Sequence, residues 1–543
     1  FEGPLSDGRG SWLLSARKSY MNAIDWFNND ELIAVGLNVV RDNSGTRRRS
    51  LNERTLFPGS SNGSFYDLHG KLSHETTRGA RFYVSAYAGG DDASHEAKRL
   101  IEIPADGRRD RLELTDVVTA NQWNNVALSI RDDRKAWGNG FSSTSMAFSY
   151  FQSNYRKDDF VYRIRPEPGD GRPIIIAPFR NNNTLTELKV SHETTLPPSA
   201  TRVFKLGASL QNFQVDYEEL SAFRRLFSAS TQSSQLDVYG DLETSSSRLL
   251  SISAGLRAHY FSRGSFLRLS PRFQAILLPR QPLSFSAGYS RTYQFLHRLY
   301  VENTTGSDIW VLSSAKEPPG AVDQLSAGLK IALGQALLKV DGYGKWHENL
   351  RRHQTVLRPD GTPEGSPILS PWVSNNQSRS FGLETLAQFR QDESVFSVSY
   401  TLSKSEIRQQ DINDGNYFPA DWDRLHQATV RGEHSLPNNF SFDWNWTIAS
   451  GRPNYFSFVA PREQERLGIY HRLDLSAGYT VSSPGRTVRL SVAVYNAYDR
   501  DNVWYRAAET VLRPGRPERP LAIEFIDVYD LGIQPSFRIE VSF

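Results

Sequence analysis

Apolar and polar residues alternate along most of this chain with a period of two, which is the pattern of β-strands that have one apolar face. The final segment, 531–543, shows it clearly. Its odd positions hold Leu, Ile, Pro, Phe, Ile, Val and Phe, and the positions between them hold Gly, Gln, Ser, Arg, Glu and Ser. Such a strand separates two environments, either a protein core from water or lipid from a polar interior.

The same alternation predicts about twenty strands, spread over the whole chain. In the segment 440–448, for example, Phe, Trp and Ile alternate with Ser, Asp, Asn and Thr. The predicted strands are 11–20, 65–75, 81–88, 122–131, 144–154, 184–193, 202–213, 235–243, 249–261, 266–276, 283–293, 323–333, 336–347, 378–390, 394–408, 424–435, 440–449, 469–481, 486–496 and 531–543. The sequence therefore predicts an all-β protein.

The connections between these strands alternate between short and long. Short turns at 76–78, 334–335, 391–393 and 482–485 contrast with long loops at 21–64, 89–121, 155–183, 294–322, 348–377 and 497–530. Short periplasmic turns and long extracellular loops are typical of a transmembrane antiparallel up-and-down β-barrel. A soluble sandwich or propeller is the alternative, and a propeller would repeat every 40 to 50 residues or so. The one near-repeat, KLSHETT at 71–77 and KVSHETT at 189–195, is too short for a blade.

Composition supports the barrel and limits other classes. Hydrophobic residues make up 38% of the 543 residues, yet aromatic residues reach 12%, as expected for aromatic belts on a barrel. No run of eighteen apolar residues predicts a transmembrane helix. The net charge of +3 points to no nucleic-acid partner, and the absence of cysteine excludes disulfides and thiolate sites.

Several blocks of sequence carry a resemblance to a known family. They are GSWLLSARKSY at 10–20, WNNVALSIR at 123–131, YSRTYQFL at 289–296 with DIWV at 308–311, YTLSKS at 400–405 with FPADWDRLH at 418–426, and YNAYDRDN at 495–502. Together with the terminal strand, they resemble TonB-dependent outer-membrane receptors, the energised nutrient transporters of Gram-negative bacteria. The resemblance covers nearly the whole chain in the right order.

This resemblance implies a barrel of 22 strands in the bacterial outer membrane, closed around an amino-terminal plug. We expect residues 1–543 to be the barrel domain, with the plug and the first strand upstream of Phe1. The implied partners are the plug, the TonB-ExbB-ExbD complex, outer-membrane lipid or lipopolysaccharide, and a small solute. The implied function is import of a scarce solute (a siderophore, cobalamin, a saccharide or a peptide) without enzymatic activity or a cofactor. A structural or surface-interaction scaffold, or a passive pore, is the alternative.

Candidate ligand-binding residues lie in the predicted long loops. Aromatic side chains there could stack on a solute, or belong to the outer girdle: Trp310, Trp372, Tyr417, Trp422, Tyr455, Trp504 and Tyr505. Arg351 and Arg352 could steer an anionic solute, although a charge run is more often a solvated face. Charges on the polar face of the strands, such as Arg257, Arg431 and Arg538, are expected to meet the plug.

The catalytic and metal motifs in the sequence lack their structural context. Residues 59–63 match G-x-S-x-G, but no strand and helix are predicted around them, so they read as a flexible loop. His74-Glu75 and His192-Glu193 begin H-E-x-x-H but lack its second histidine, and they fall on strands. Residues 411–415 lack the closing Glu of a calcium loop. We therefore predict no catalytic residue and no metal site.

Overall fold

The computed structural model describes residues 1–19, 53–54, 60–103, 111–164, 174–175, 179–199, 201–221, 224–244, 249–299, 309–352, 373–409, 413–454, 466–513 and 516–542. Nearly all regular structure in these ranges is β-strand. A single 3₁₀ turn, Asn413–Gly415, interrupts it. Within these ranges, no helix has the length and apolar character required to cross a membrane.

The strands follow one another along the chain with few other elements. They are β1 Glu2–Pro4, β2 Gly10–Lys18, β3 Glu53–Arg54, β4 Ser60–Glu75, β5 Arg81–Ile103, β6 Arg111–Lys135, β7 Phe141–Ile164, β8 Ile174–Ile175, β9 Phe179–Thr195, β10 Arg202–Ser221, β11 Arg224–Thr244, β12 Leu250–Phe261, β13 Phe266–Leu277, β14 Leu283–Gln294, β15 Leu296–Leu299, β16 Ile309–Leu312, β17 Gly320–Leu333, β18 Ala336–Arg352, β19 Val373–Gln391, β20 Ser394–Arg408, β21 Phe418–Pro419, β22 His426–Leu436, β23 Phe440–Ala449, β24 Tyr470–Ser483, β25 Arg486–Tyr495, β26 Val503–Arg513, β27 Arg516–Tyr529 and β28 Gln534–Ser542.

One antiparallel sheet contains 24 of these strands. Three of its members, β3, β8 and β21, are two-residue additions at loop ends, and the other strands each pair with their neighbours in chain order. This is an up-and-down meander, and all twenty predicted strands are confirmed in it. β1 is an additional short strand, antiparallel to β2.

The two ends of the meander are β1 and β28. β28 pairs with β25, from Thr487 opposite Ser542 to Tyr495 opposite Gln534. Among the described strands, no pairing joins β28 to β1. The expected strand upstream of Phe1 stays a prediction.

The outward face of the sheet is apolar in a continuous band. On β10, Leu206 and Leu210 are 45% and 54% exposed, whereas Ser209 between them is 9% exposed. The same outward exposure of large apolar side chains recurs on strand after strand, for example Val238, Leu256, Leu269, Leu325, Leu383, Val398, Val492 and Ile539. A belt of this extent is stable in contact with lipid rather than water.

Several strands are longer than a membrane span requires. About 9–11 residues of strand cross a bilayer, but β5, β6 and β7 contain 23, 25 and 24 residues. They therefore rise beyond the lipid at the long-loop end, and much of the predicted loops 89–121 and 155–183 is strand. Residues 60–63 also belong to β4, so the prediction of a flexible loop there was wrong, because strand pairing with β5 overrides the local Gly and Ser content.

The short-turn end is closed by tight turns. Asn438 and Asn439 between β22 and β23 both have positive φ, at 60° and 63°. Consecutive positive φ angles give the turn a twist that matches two antiparallel strands, and asparagine tolerates them well. The short connections predicted from sequence are therefore confirmed as the turns on one edge of the sheet.

Candidate functional site

The connection between β14 and β17 folds back onto the polar face of the sheet at the long-loop end. Its strands β15 and β16 form a small antiparallel hairpin, with Leu296 opposite Leu312 and Leu299 opposite Ile309. This hairpin packs against the inner sides of β9, β10 and β11. The described parts of the predicted loop, residues 294–299 and 309–322, therefore form a structured element in the mouth of the barrel.

Apolar burial holds the hairpin in place. Phe213, Val215, Phe261, Phe295 and Leu312 form one buried cluster, and a second joins Tyr217 to Leu299 and Ile309. The Phe261 and Phe295 rings stack with centroids 4.8 Å apart. Complete burial of one such side chain contributes about 1.5–3 kcal/mol. Apolar residues thus replace polar ones on the inward face of β10 because a protein element covers them.

Trp310 lies in β16 and contacts the polar face of the large sheet, which forms the wall of the barrel. Its ring meets Phe151 of β7 edge to face, with centroids 6.3 Å apart. Its backbone N–H donates to Oδ1 of Asn183 at 2.9 Å, and the Asn183 amide donates to the carbonyl of Asp216 at 3.2 Å. Asn183 therefore connects β16 to β9 and β10, and Trp310 is a packing residue of the hairpin in this structure.

Arg351 ties the other side of the hairpin to β18. Its side chain is only 4% exposed. It donates to the carbonyl oxygen of Glu317 at 2.7 Å, to that of Leu312 at 3.4 Å and to Oγ of Ser313 at 3.5 Å. Arg351 and Arg352 lie in β18 rather than in a loop as predicted, because pairing with β19 continues through Arg352, although irregularly. The Arg351 guanidinium is thus occupied by the loop, through its backbone, the Ser313 hydroxyl and an ion pair of 3.5 Å with the Glu317 carboxylate.

His297 is the titratable group inside this hairpin. It is 5% exposed and shares a hydrogen bond of 3.1 Å with Oγ of Ser313. Burial, with a smaller contribution from the positive charge of Arg351, lowers the pKa of His297 to about 3. The imidazole is therefore neutral near pH 7, which allows it to lie next to a guanidinium.

Tyr417 and Trp422 lie in the connection between β20 and β22. The Arg379 guanidinium lies 4.0 Å from the centre of the Tyr417 ring and donates to Glu406 at 2.7 Å. Trp422 is 53% exposed. Next to it, buried Asp423 pairs with Arg466 and accepts from the Ser405 N–H at 2.7 Å. The loop that presents Trp422 is thus rigidly attached to the wall.

Trp504 lies at the start of β26, under the Arg452 guanidinium at 4.9 Å. The neighbouring Asn454 side chain donates to the Arg506 carbonyl at 2.8 Å and accepts from its N–H at 2.9 Å. These contacts fasten the β26–β27 hairpin to the segment after β23.

The structure brings some of the predicted ligand residues together and leaves others apart. Trp310 and Arg351 meet at one hairpin, whereas Tyr417, Trp422 and Trp504 lie on other loops. Trp372 and Tyr455, and the side chains of Arg352 and Tyr505, lie outside the described residues. Sequence reasoning missed Asn183, His297 and Glu317, because their importance depends on which loop folds inward.

The histidines of the two incomplete H-E-x-x-H motifs bond to nearby polar side chains. His74 bonds to Asp7 at 2.8 Å, and His192 bonds to Thr144 and Thr194 at 2.8 and 2.9 Å. Throughout the described ranges, no three His, Asp or Glu side chains converge as metal ligands would.

Comparisons with known proteins give a family and a fold. A family model described as TonB dependent receptor-like, beta-barrel matches residues 12–497. A mutant form of the ferric enterobactin receptor PfeA from Pseudomonas aeruginosa superposes with a TM-score of 0.56 at 11% identity, covering 92% of this chain and 81% of that one. The siderophore receptor PirA from Acinetobacter baumannii gives 0.54 at 9% identity, with 92% and 81% coverage.

A third solved structure is the ferripyoverdine receptor of the outer membrane of Pseudomonas aeruginosa, bound to ferripyoverdine. It gives a TM-score of 0.54 at 11% identity and covers 91% of this chain and 72% of that one. At such identities the likeness concerns the fold alone. A comparison with curated proteins gives no match.

Proposed function

The chain belongs to the TonB-dependent receptor β-barrel family, and from this premise we propose that it binds a scarce extracellular solute and imports it into the periplasm with energy from the TonB complex. It is an outer-membrane protein whose strands form a transmembrane antiparallel β-barrel. The observation that carries the proposal is the family match over residues 12–497. Binding and import of this kind require no covalent step.

The solute that we propose to test first is a ferric siderophore. Three of the similar structures are receptors whose names specify siderophores or ferric siderophores. On this proposal, exposed loop aromatics make the ligand contacts. Trp310 and Arg351 do not, because their side chains are already in contact with the hairpin and the barrel wall. Trp422, 53% exposed on a firmly held loop, is the leading candidate.

We also propose that a plug domain upstream of Phe1 fills this barrel. The large number of strands in the sheet supports this, since a large barrel without a filling would be an open channel. Part of the lumenal charge is already paired within the wall, as in Arg431 with Glu433 at 2.7 Å and Arg538 with Glu540 at 3.1 Å. The sequence of the gene upstream of Phe1 tests this directly, and an upstream region without a plug would contradict it.

Uptake of ⁵⁵Fe-loaded siderophores tests the function. The full-length protein is expressed in a Gram-negative strain that lacks its own siderophore receptors, and in a matched strain without TonB. We expect uptake of at least one catecholate, hydroxamate or mixed siderophore in the first strain and none in the second. Uptake that persists without TonB would indicate a passive pore, and binding without uptake a surface scaffold.

Trp422→Ala should weaken siderophore binding to intact cells about tenfold, as expected when an aromatic contact worth roughly 1.4 kcal/mol is removed. Trp12→Ala is the matched control, because Trp12 lies on the lipid-facing side of β2. Equal affinity of the Trp422 variant and the parent protein would refute its role.

A further inference from the structure

Three side chains on adjacent strands of the lumen wall form a continuous hydrogen-bonded chain. Oδ1 of Asp237 lies 2.7 Å from Nδ1 of His259, and Nε2 of His259 lies 2.9 Å from Oγ of Ser270. Asp237 and His259 are 2% and 7% exposed, whereas Ser270 is more accessible. A buried carboxylate, a histidine and an accessible serine in this order have the geometry of a nucleophilic triad.

Strand register produces this alignment. Asp237 of β11 is directly opposite His259 of β12. On β13, the residue opposite His259 is Arg268, and Ser270 lies two positions further along, opposite Arg257, so it is diagonal to His259. All three side chains project from the same face, so short side chains on neighbouring strands are within reach of each other. The contact requires no flexible loop.

Each member is oriented by further contacts. Gln235 donates to both carboxylate oxygens of Asp237, at 3.0 and 3.2 Å, and Ser209 donates to one of them at 3.4 Å. The His259 ring packs against Phe295, with centroids 5.8 Å apart. A carboxylate that accepts from Nδ1–H leaves Nε2 free to accept the serine proton, which is the tautomer that a general base requires.

The serine opens onto a cavity with room for a reacting group. His259, Ser270 and Arg257 line a cavity of about 380 Å³ in the lumen wall. Arg257 lies directly opposite Ser270, and its guanidinium lies 4.4 Å from the Tyr239 ring centre. In the described part of the chain, Arg257 makes no ion pair, unlike Arg272, which bonds to Asp241 at 2.7 Å. Beside a nucleophile, a guanidinium that makes no close ion pair can stabilise a developing oxyanion.

We propose that Ser270 and His259, positioned by Asp237, form an acyl-transfer site that hydrolyses carboxylic esters within the lumen. Ser270 Oγ attacks the ester carbonyl while its proton passes to Nε2 of His259. The tetrahedral oxyanion faces Arg257, the alkoxide leaves with the proton from Nε2, and an acyl-serine remains. Water then attacks the acyl carbon and gives its proton to His259, which returns it to Ser270 as the carboxylic acid departs. This activity does not depend on the proposed import.

A fluorophosphonate probe tests the nucleophile in the full-length protein, purified from outer membranes in detergent. Attack by Ser270 forms an Oγ–P bond, displaces fluoride and leaves the serine modified. We expect peptide mass spectrometry to place the probe on Ser270. Ser290→Ala is the matched control, since Ser290 lines the same cavity on β14 without a bond to the histidine. Labelling should persist in that control and disappear in Ser270→Ala.

His259→Gln keeps the serine and should slow labelling about 10²–10⁴-fold, the usual contribution of a general base. Asp237→Asn tests the positioning residue, and with 4-nitrophenyl acetate it should lower kcat while KM stays unchanged. Heat-dependent gel mobility reports whether each variant is a folded barrel. No probe on Ser270 of the folded parent protein, or equal labelling of the His259 variant, would show that the three residues are only a structural network.

Discussion

Replacement of Arg351 by alanine tests whether one buried guanidinium holds the β15–β16 hairpin in the mouth. Its strongest bond is the 2.7 Å contact with the Glu317 carbonyl, and the contacts of 3.4 and 3.5 Å add little. A hydrogen bond from a charged donor contributes about 1.5–3 kcal/mol. Because other wall contacts remain, we expect the free energy of hairpin opening to fall by roughly 2–3 kcal/mol.

Amide hydrogen exchange measures this opening directly. A loss of roughly 2–3 kcal/mol corresponds to exchange about 30 to 150 times faster in peptides that contain β15 and β16. The wall strands should keep their protection. Arg280→Ala, at an exposed residue of the short-turn end, is the control. Glu317→Gln should have a smaller effect than Arg351→Ala, because it keeps the backbone carbonyl acceptor and removes only the 3.5 Å ion pair. Unchanged exchange in the Arg351 variant, or equal loss of protection everywhere, would refute the reasoning.

Two further perturbations test the hairpin and the lipid face. Burial lowers the pKa of His297 from 6.5 to about 3, so the closed hairpin excludes a proton that the open form binds. The free energy of hairpin opening should therefore be largest above pH 6.5. It should fall by up to about 1.4 kcal/mol per pH unit as the pH falls toward 3. Hydrogen exchange at pH 5 and pH 7, corrected for intrinsic rates, should show this slope in the parent protein and lose it in His297→Asn; an equal slope in both excludes His297 as its cause. Leu256 is an outward residue, 51% exposed. Leu256→Arg should lower the free energy of unfolding, measured with urea in lipid vesicles, by about 2–4 kcal/mol, depending on the depth of the residue in the membrane. A change near zero would place Leu256 outside the lipid.

Much of the fold was predictable because strand alternation is a local property. All twenty predicted strands are present, and the outward positions of Leu325, Val398 and Ile539 match the alternation. Errors concentrated where pairing with a neighbour extends a strand beyond its apolar pattern. β5 and β6 continue above the lipid through backbone pairing, which does not depend on which side chains the strands carry. The choice of loop aromatics as ligand residues stays a prediction, and one of them, Trp310, packs within the hairpin.

The sequence by itself determined the two faces of the wall and the direction of successive strands. Side chains alternate and short turns alternate with long loops, and both follow from neighbouring residues. Only the tertiary structure decided which loop enters the mouth and which lumen groups meet. Arg351 reaches Glu317 across a folded loop, and Asp237, His259 and Ser270 align through the register of three strands. A shift of one residue between strands would turn each of these side chains to the other face, and no local pattern specifies that register.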